Sequence, residues 1–260
     1  HTTHSNKPIE MRPDSHLLLN LNQALLKISK SSLKSYIAHL KQSNPNIHTA
    51  DNILLAYCLK AIDLFEGIIL LQESNLMEDA QILIRSLFET NLNTYCVIKL
   101  ASDDLDNAAH QVMNGTMIMG GKKATQQNTG NDDFFDDVGV LKTLYSEQEI
   151  KEIERFGFPQ CSIRQRAIND NKLEWYNVMY KNFSRNAHAL DIAEYLVKTN
   201  VREYHETYEE MHELRDGAAL EHAHTCFYQI ILYYSRRYDW GIEDNLSDIR
   251  LQFNQIARDQ

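Results

Sequence analysis

The chain has 260 residues, a formal net charge of −10 and 24% charged residues, the balance of an ordinary globular protein. Its nine glycines and four prolines are less than half the usual share of about 12%. That excludes collagen-like, linker-like and most disordered readings, and it counts against a β-sandwich or barrel, which needs a turn residue about every 8–12 positions. The acidic balance disfavours non-specific binding to polyanions, whose affinity comes from Lys and Arg on phosphates, while leaving room for a local basic cleft that admits RNA.

Residues 1–14 (HTTHSNKPIEMRPD) are polar and read as a flexible terminus. From Ser15 to about Lys41, Leu18, Leu21, Leu25, Ile28, Leu33, Ile37 and Leu40 recur at helical spacing. The run SNPN at 43–46 breaks that helix, and Thr49 or Asp51 can cap the next one, which extends to about Ser74. This second helix is apolar nearly all round, as expected of a central element in a bundle. Helices follow over about 76–102 and, more weakly, 103–119. The stretch GGKKATQQNTGNDDFFDD (120–137) lacks periodicity and reads as one long mobile loop, a candidate lid, with Phe134 and Phe135 as an anchor at its end. Ser146 and Glu149 form a capping box for a helix to about Arg155. Short and longer helices are expected at 162–169 and 171–187, with helical character again at 191–198. One long helix over 200–238, with a kink at Gly217, and a terminal helix over 243–258 complete the chain.

No sustained alternation marks a strand, so the expected fold is all-α: a bundle of about seven to nine helices with one long mobile loop, forming a single domain over 15–260. Cys58, Cys96, Cys161 and Cys226 are too far apart for a zinc knuckle, and three lie in apolar helical settings, the pattern of buried reduced thiols in a cytoplasmic protein. The most apolar stretch, 53–71, holds Lys60, Asp63 and Glu66, too many charges for a membrane span. No positive segment followed by an apolar run marks a secretory signal. The segment 227–238 (FYQIILYYSRRY) is apolar on two faces, which suits a core plus an interface and predicts a homodimer.

Four constellations carry chemical potential. Arg85 and Glu89 stand four apart in an otherwise apolar helix, so they share a face and are either a structural ion pair or the wall of a polar pocket. Tyr176, Tyr180, Ser184 and His188 recur every four residues, a hydrogen-bonding stripe in which His188 can exchange a proton near neutral pH. His205, Glu209 and His212 contain one Glu-x-x-His unit, but a di-iron centre uses two with further Glu ligands, so no metal or cofactor is expected. Arg215 and His222 have six residues between them, a loosely spaced pair that makes secondary site candidates. The sequence contains neither a P-loop nor a Gly-x-Ser-x-Gly elbow.

The order Arg85-Ser-Leu-Phe-Glu89, then Tyr-x3-Tyr-x3-Ser-x3-His at 176–188, resembles a bacterial family of all-helical proteins of unknown function. The resemblance covers about residues 50–190 and implies that Arg85, Glu89, Tyr180, Ser184 and His188 line one shared polar pocket. That family is similar in style to HEPN-type helical proteins, several of which are RNases of toxin or anti-phage systems. Here the Arg/His pair with HEPN-like spacing, Arg215 and His222, is not the pair the family motif marks. The resemblance leads to a metal-independent RNase or defence effector acting on RNA, with Arg85, Glu89, Ser184 and His188 catalytic and Tyr176 and Tyr180 binding. The alternative is a non-catalytic module that binds a small anionic ligand or a partner protein through the same pocket.

Overall fold

The computed structural model describes residues 13–43, 49–74, 76–100, 105–127, 132–156, 162–183 and 204–258. The α-helices among these described residues are, in chain order, α1 (Pro13–Ser43), α2 (Thr49–Glu73), α3 (Met77–Leu100), α4 (Leu105–Gln127), α5 (Asp132–Lys142), α6 (Glu147–Phe156), α7 (Ile163–Asn169), α8 (Leu173–Trp175), α9 (Tyr204–Tyr238) and α10 (Glu243–Arg258). α8 runs directly into a π-helix, Tyr176–Asn182. No strand occurs among the described residues, and the fold is an all-α multi-helix bundle. None of the helices in the described part is long and apolar enough to cross a membrane.

The centre is built by α2, α3 and α9, which pack on one another; α1 and α10 cover one side, and α4 with α6 the other. The position of α2 follows from its composition, because a helix with no polar face is stable only when neighbours cover it. Leu54, Cys58, Ala61, Ile62, Phe65 and Ile68 are fully buried along it. Phe65 stacks on Phe227 of α9 with centroids 4.1 Å apart, and the Tyr234 hydroxyl donates to the Leu54 carbonyl at 2.6 Å. Gly67 sits where α2 and α3 approach: a Cβ there would lie 2.8 Å from Leu83. Cys58, Cys96 and Cys226 are buried and free, and Cys161 lies outside the described residues. Burial pushes the Cys226 thiol up to about 12, so it stays protonated and packs as a small apolar group.

Three expectations are corrected. The loop expected over 120–137 is helical wherever it is described: α4 continues through Gln127 and α5 begins at Asp132, with 128–131 outside the described residues. The reason is packing. Gly121 is buried, and a Cβ there would come within 2.9 Å of Val138, so the glycine that suggests a loop instead lets α4 and α5 meet closely. Second, the two apolar faces of 227–238 are used inside the chain. Phe227, Ile230, Ile231 and Tyr234 are buried, while Tyr228 and Leu232 are half-buried against the core. The pattern is that of an internal helix, and it no longer argues for a dimer interface there. Third, α2 starts at Thr49, so Asp51 falls in its first turn instead of capping it. Its carboxylate accepts from Arg237 at 3.0 Å and from Tyr238 at 2.9 Å, which ties the end of α9 to the start of α2. Burial first, and the Asp51 carboxylate second among the raising influences, hold the Tyr238 phenol protonated.

The capping box forms as read: the Ser146 amide donates to Glu149 Oε2 at 2.9 Å, and the Glu149 amide donates to Ser146 Oγ at 3.3 Å. The Ser146 amide, and the Ser146 hydroxyl donating to the same oxygen at 2.7 Å, favour the ionised carboxylate and lower the Glu149 pKa. The α9–α10 turn holds Asp239 and Gly241 at positive φ (51° and 66°), and Ser235 Oγ donates to Glu243 at 2.6 Å across it. The first 12 residues of the expected flexible terminus lie outside the described part of the chain.

A charged and aromatic seam on α3

α3 presents Arg85, Glu89 and Asn93 at four-residue spacing, hence on one face. The segment 162–183 runs antiparallel to that face. Arg166 of α7 bonds Asn93, Lys172 bonds Asn91, and Tyr180 of the π-helix meets Arg85. The geometry at Arg85 is closed on two sides. Its Nε donates to Glu89 Oε1 at 3.2 Å and its Nη2 donates to the Tyr180 hydroxyl at 3.0 Å. Its guanidinium carbon also lies 4.4 Å from the Tyr180 ring centroid, within cation–π range. The Arg85 and Glu89 side chains are 19% and 34% exposed, so the pair sits at a wet edge and can still meet a ligand.

The π-helix explains the tyrosines. An α-helix turns about 100° per residue, so positions four apart drift around it. A π-helix closes i→i+5 bonds and is wider, and in this one Tyr176 and Tyr180 fall on one side. Their rings stack, with centroids 5.2 Å apart and planes at 13°. Lys181 Nζ lies 5.9 Å from the Tyr176 ring. Asn171 at φ 55° makes the turn that delivers α8 to this position, a conformation that Asn tolerates better than most residues.

Behind the exposed end of the seam lies a buried one, which the sequence analysis missed. Lys172 is paired with Asp170 at 2.6 Å, with side chains 11% and 7% exposed. Its ammonium also lies between the rings of Tyr95 (5.1 Å) and Trp175 (5.8 Å). Arg166 is buried, and its charge partly offsets the effect of burial on Tyr57, whose phenol is nonetheless pushed up to about 12. Asn91 reaches across to the Cys226 carbonyl of α9 at 3.1 Å. The sequence signals for this seam were the i, i+4 placement of Arg85 and Glu89 and the Tyr176/Tyr180 stripe; nothing local links α3 to residues 73–95 positions further on.

The structure therefore joins four of the expected site residues: Arg85, Glu89, Tyr176 and Tyr180. Ser184 and His188 lie outside the described residues. The secondary pair is half visible. Arg215 belongs to α9 but its side chain is outside the described set, while His222 is half-buried and burial lowers its pKa. Among the described residues no cluster of three or more His, Cys, Asp or Glu could hold a metal ion; His205, Glu209 and His212 are not among those side chains.

Fold and seam together define an all-helical protein with a charged, aromatic edge between an α-helix and a π-helix. A family model described as a family of unknown function, DUF5677, matches residues 51–206, three fifths of the chain, and the chain belongs to that family. The matched region encloses every residue from Arg85 to His188 and leaves out Arg215 and His222. No curated protein and no solved structure matches the chain.

Proposed function

We propose that this protein is a HEPN-like, metal-independent ribonuclease, a toxin or anti-phage effector, with its site at the Arg85 end of the seam. The observation that carries the reading is Arg85 fixed over Tyr180, at the start of the chain segment that continues to Ser184 and His188. A local charge supports it: residues 162–183 hold four cations against two carboxylates in a chain of net charge −10. A cation beside stacked tyrosines is the combination that single-stranded nucleic acid recognises, through phosphate and base.

In this mechanism His188 takes the proton of a ribose 2′-hydroxyl as the 2′-oxygen attacks phosphorus. The 5′-oxygen leaves and receives a proton, giving a cyclic phosphate and a 5′-hydroxyl. Arg85 stabilises the charge that builds on the phosphate oxygens, while Glu89 and Ser184 orient the Arg and His. The reading places the protein in the cytoplasm as an assembly of copies.

A second reading is favoured by one observation: the Arg85 charge is already shared between Glu89 and Tyr180. A non-catalytic module would use this partly satisfied cation to bind a small anion or a partner protein. The deciding experiment incubates RNA with the wild type and with His188→Ala in EDTA. Cleavage by the wild type, lost by about 100-fold or more in the variant, supports the enzyme. RNA or pyrophosphate bound but uncleaved, with binding lost in Arg85→Ala, supports the module.

A further inference from the structure

Charge is unevenly spread over this molecule. α1 carries Lys27, Lys30, Lys34 and Lys41 against Asp14 alone. Residues 132–156, spanning α5 and α6, hold eight carboxylates and three cations. Each of these regions also exposes apolar surface. Between α1 and α2 lies an open groove of about 400 Å³ whose floor includes Leu33, Ile37 and Ile62, with Leu59 50% exposed at its wall. Lys34 and Lys41 stand along its α1 rim, two helical turns or roughly 10 Å apart, and one exposed carboxylate, Asp63, lines its α2 side, so the rim is basic on balance. Lys30, at the same rim, is neutralised by Glu66.

On α5 and the turn after it, Val140 and Leu144 are each 66% exposed, more than any other large apolar residue among the described ones. They lie four residues apart, between the exposed carboxylates Asp137 and Glu147. The one cation between those carboxylates, Lys142, is turned to Glu154 at 2.7 Å. One region is thus an apolar groove with a lysine rim, the other an apolar knob with an acidic rim.

We propose that the two fit each other across copies of this chain: the Val140/Leu144 knob of one copy docks in the α1–α2 groove of another, with Asp137 and Glu147 facing Lys34 and Lys41. The joint is between unlike faces. It closes as a ring or dimer where the rotation allows, and otherwise extends. Burying the knob and Leu59 supplies the non-directional attraction, and the opposed charges set orientation and exclude knob-to-knob contact. This assembly does not depend on the ribonuclease reading, since none of its residues belongs to the seam.

Charge reversal tests it. Lys34→Glu/Lys41→Glu makes both faces acidic, and Asp137→Lys/Glu147→Lys makes both basic. Sedimentation velocity of the wild type should show concentration-dependent species above the 30.2 kDa chain mass, weakening about tenfold or more as salt rises from about 0.05 to 0.5 M. Each double variant alone should stay at the single-chain mass with an unchanged melting temperature. An equimolar mixture of the two should associate again, because every joint then pairs unlike charges; a merely misfolded variant would not be rescued in this way. A wild type that stays at 30.2 kDa, variants that associate as the wild type does, or folded variants whose mixture stays monomeric would each overturn the proposal.

Discussion

His224 is a side chain whose protonation state is set by its burial in the fold. It is fully buried on α9, stacked on Phe253 of α10 at 3.7 Å, and its Nδ1 lies 2.8 Å from Asn22 Oδ1 of α1. A ring protonated on Nδ1 donates to that oxygen. Nε2 has no partner among the described residues, so an imidazolium would bury an unpaired donor. Burial first, and the nearby Arg250 cation second, push its pKa down to about 3. The folded value lies below the unfolded value of about 6.5, so the stabilisation is complete above pH 6.5 and is lost as pH falls from there towards 3. At about 1.4 kcal/mol per pH unit, the loss is roughly 2 kcal/mol by pH 5. Denaturant titrations at pH 7 and 5 should show that loss in the wild type and a smaller one in His224→Gln. At the seam, Tyr180→Phe keeps the ring over Arg85 but removes the hydroxyl it donates to. We expect a cost of about 1 kcal/mol in unfolding free energy, with a weaker hold on any anion that Arg85 binds. Equal RNA affinity in Tyr180→Phe and wild type would show that Tyr180 only braces the helices.

At the scale of elements, the α4–α5 junction gives the sharpest contrast. Leucine at Gly121 would drive against Val138, which is buried and stiff at χ1, and should cost about 1–3 kcal/mol. Gly139, also in α5, has nothing within 4 Å of a built Cβ. Gly139→Ala should therefore stabilise by about 0.5–1 kcal/mol, the helix-propensity difference alone. Thermal melts of the two variants should move in opposite directions. Ser146→Ala removes a reciprocal cap from α6, at a cost of about 1 kcal/mol. Composition misled over 120–137 because propensity is a weak prior: glycines and carboxamides disfavour a free helix, yet tertiary packing overrides that where backbones must come close. The capping box, α7 and α10 were legible for the opposite reason. Each is set by residues within four positions, such as Ser162 accepting from the Gln165 amide.

For the whole molecule, deleting 121–131 removes the last turns of α4, the Gly121 contact with Val138 and the Lys122 approach to Glu154 at 3.9 Å. A lid could be removed with little effect on stability. This deletion should lower the melting temperature by more than about 10 °C, the equivalent of several kcal/mol at roughly 2–4 °C each. A shift of only a few degrees would restore the lid.

By itself the sequence determined the helical class, most helix limits and the central place of α2, because hydrophobic periodicity and caps are written over a few turns of chain. It also set the Arg85–Glu89 pairing, a matter of i, i+4 geometry. Only the tertiary structure decided that Tyr180 covers Arg85, that Asp51 holds the end of α9, and that Asn22 shelters His224. Those contacts join residues 95, 186 and 202 positions apart. Local spacing carries no information across such separations; they are fixed by which faces the packed helices turn to one another.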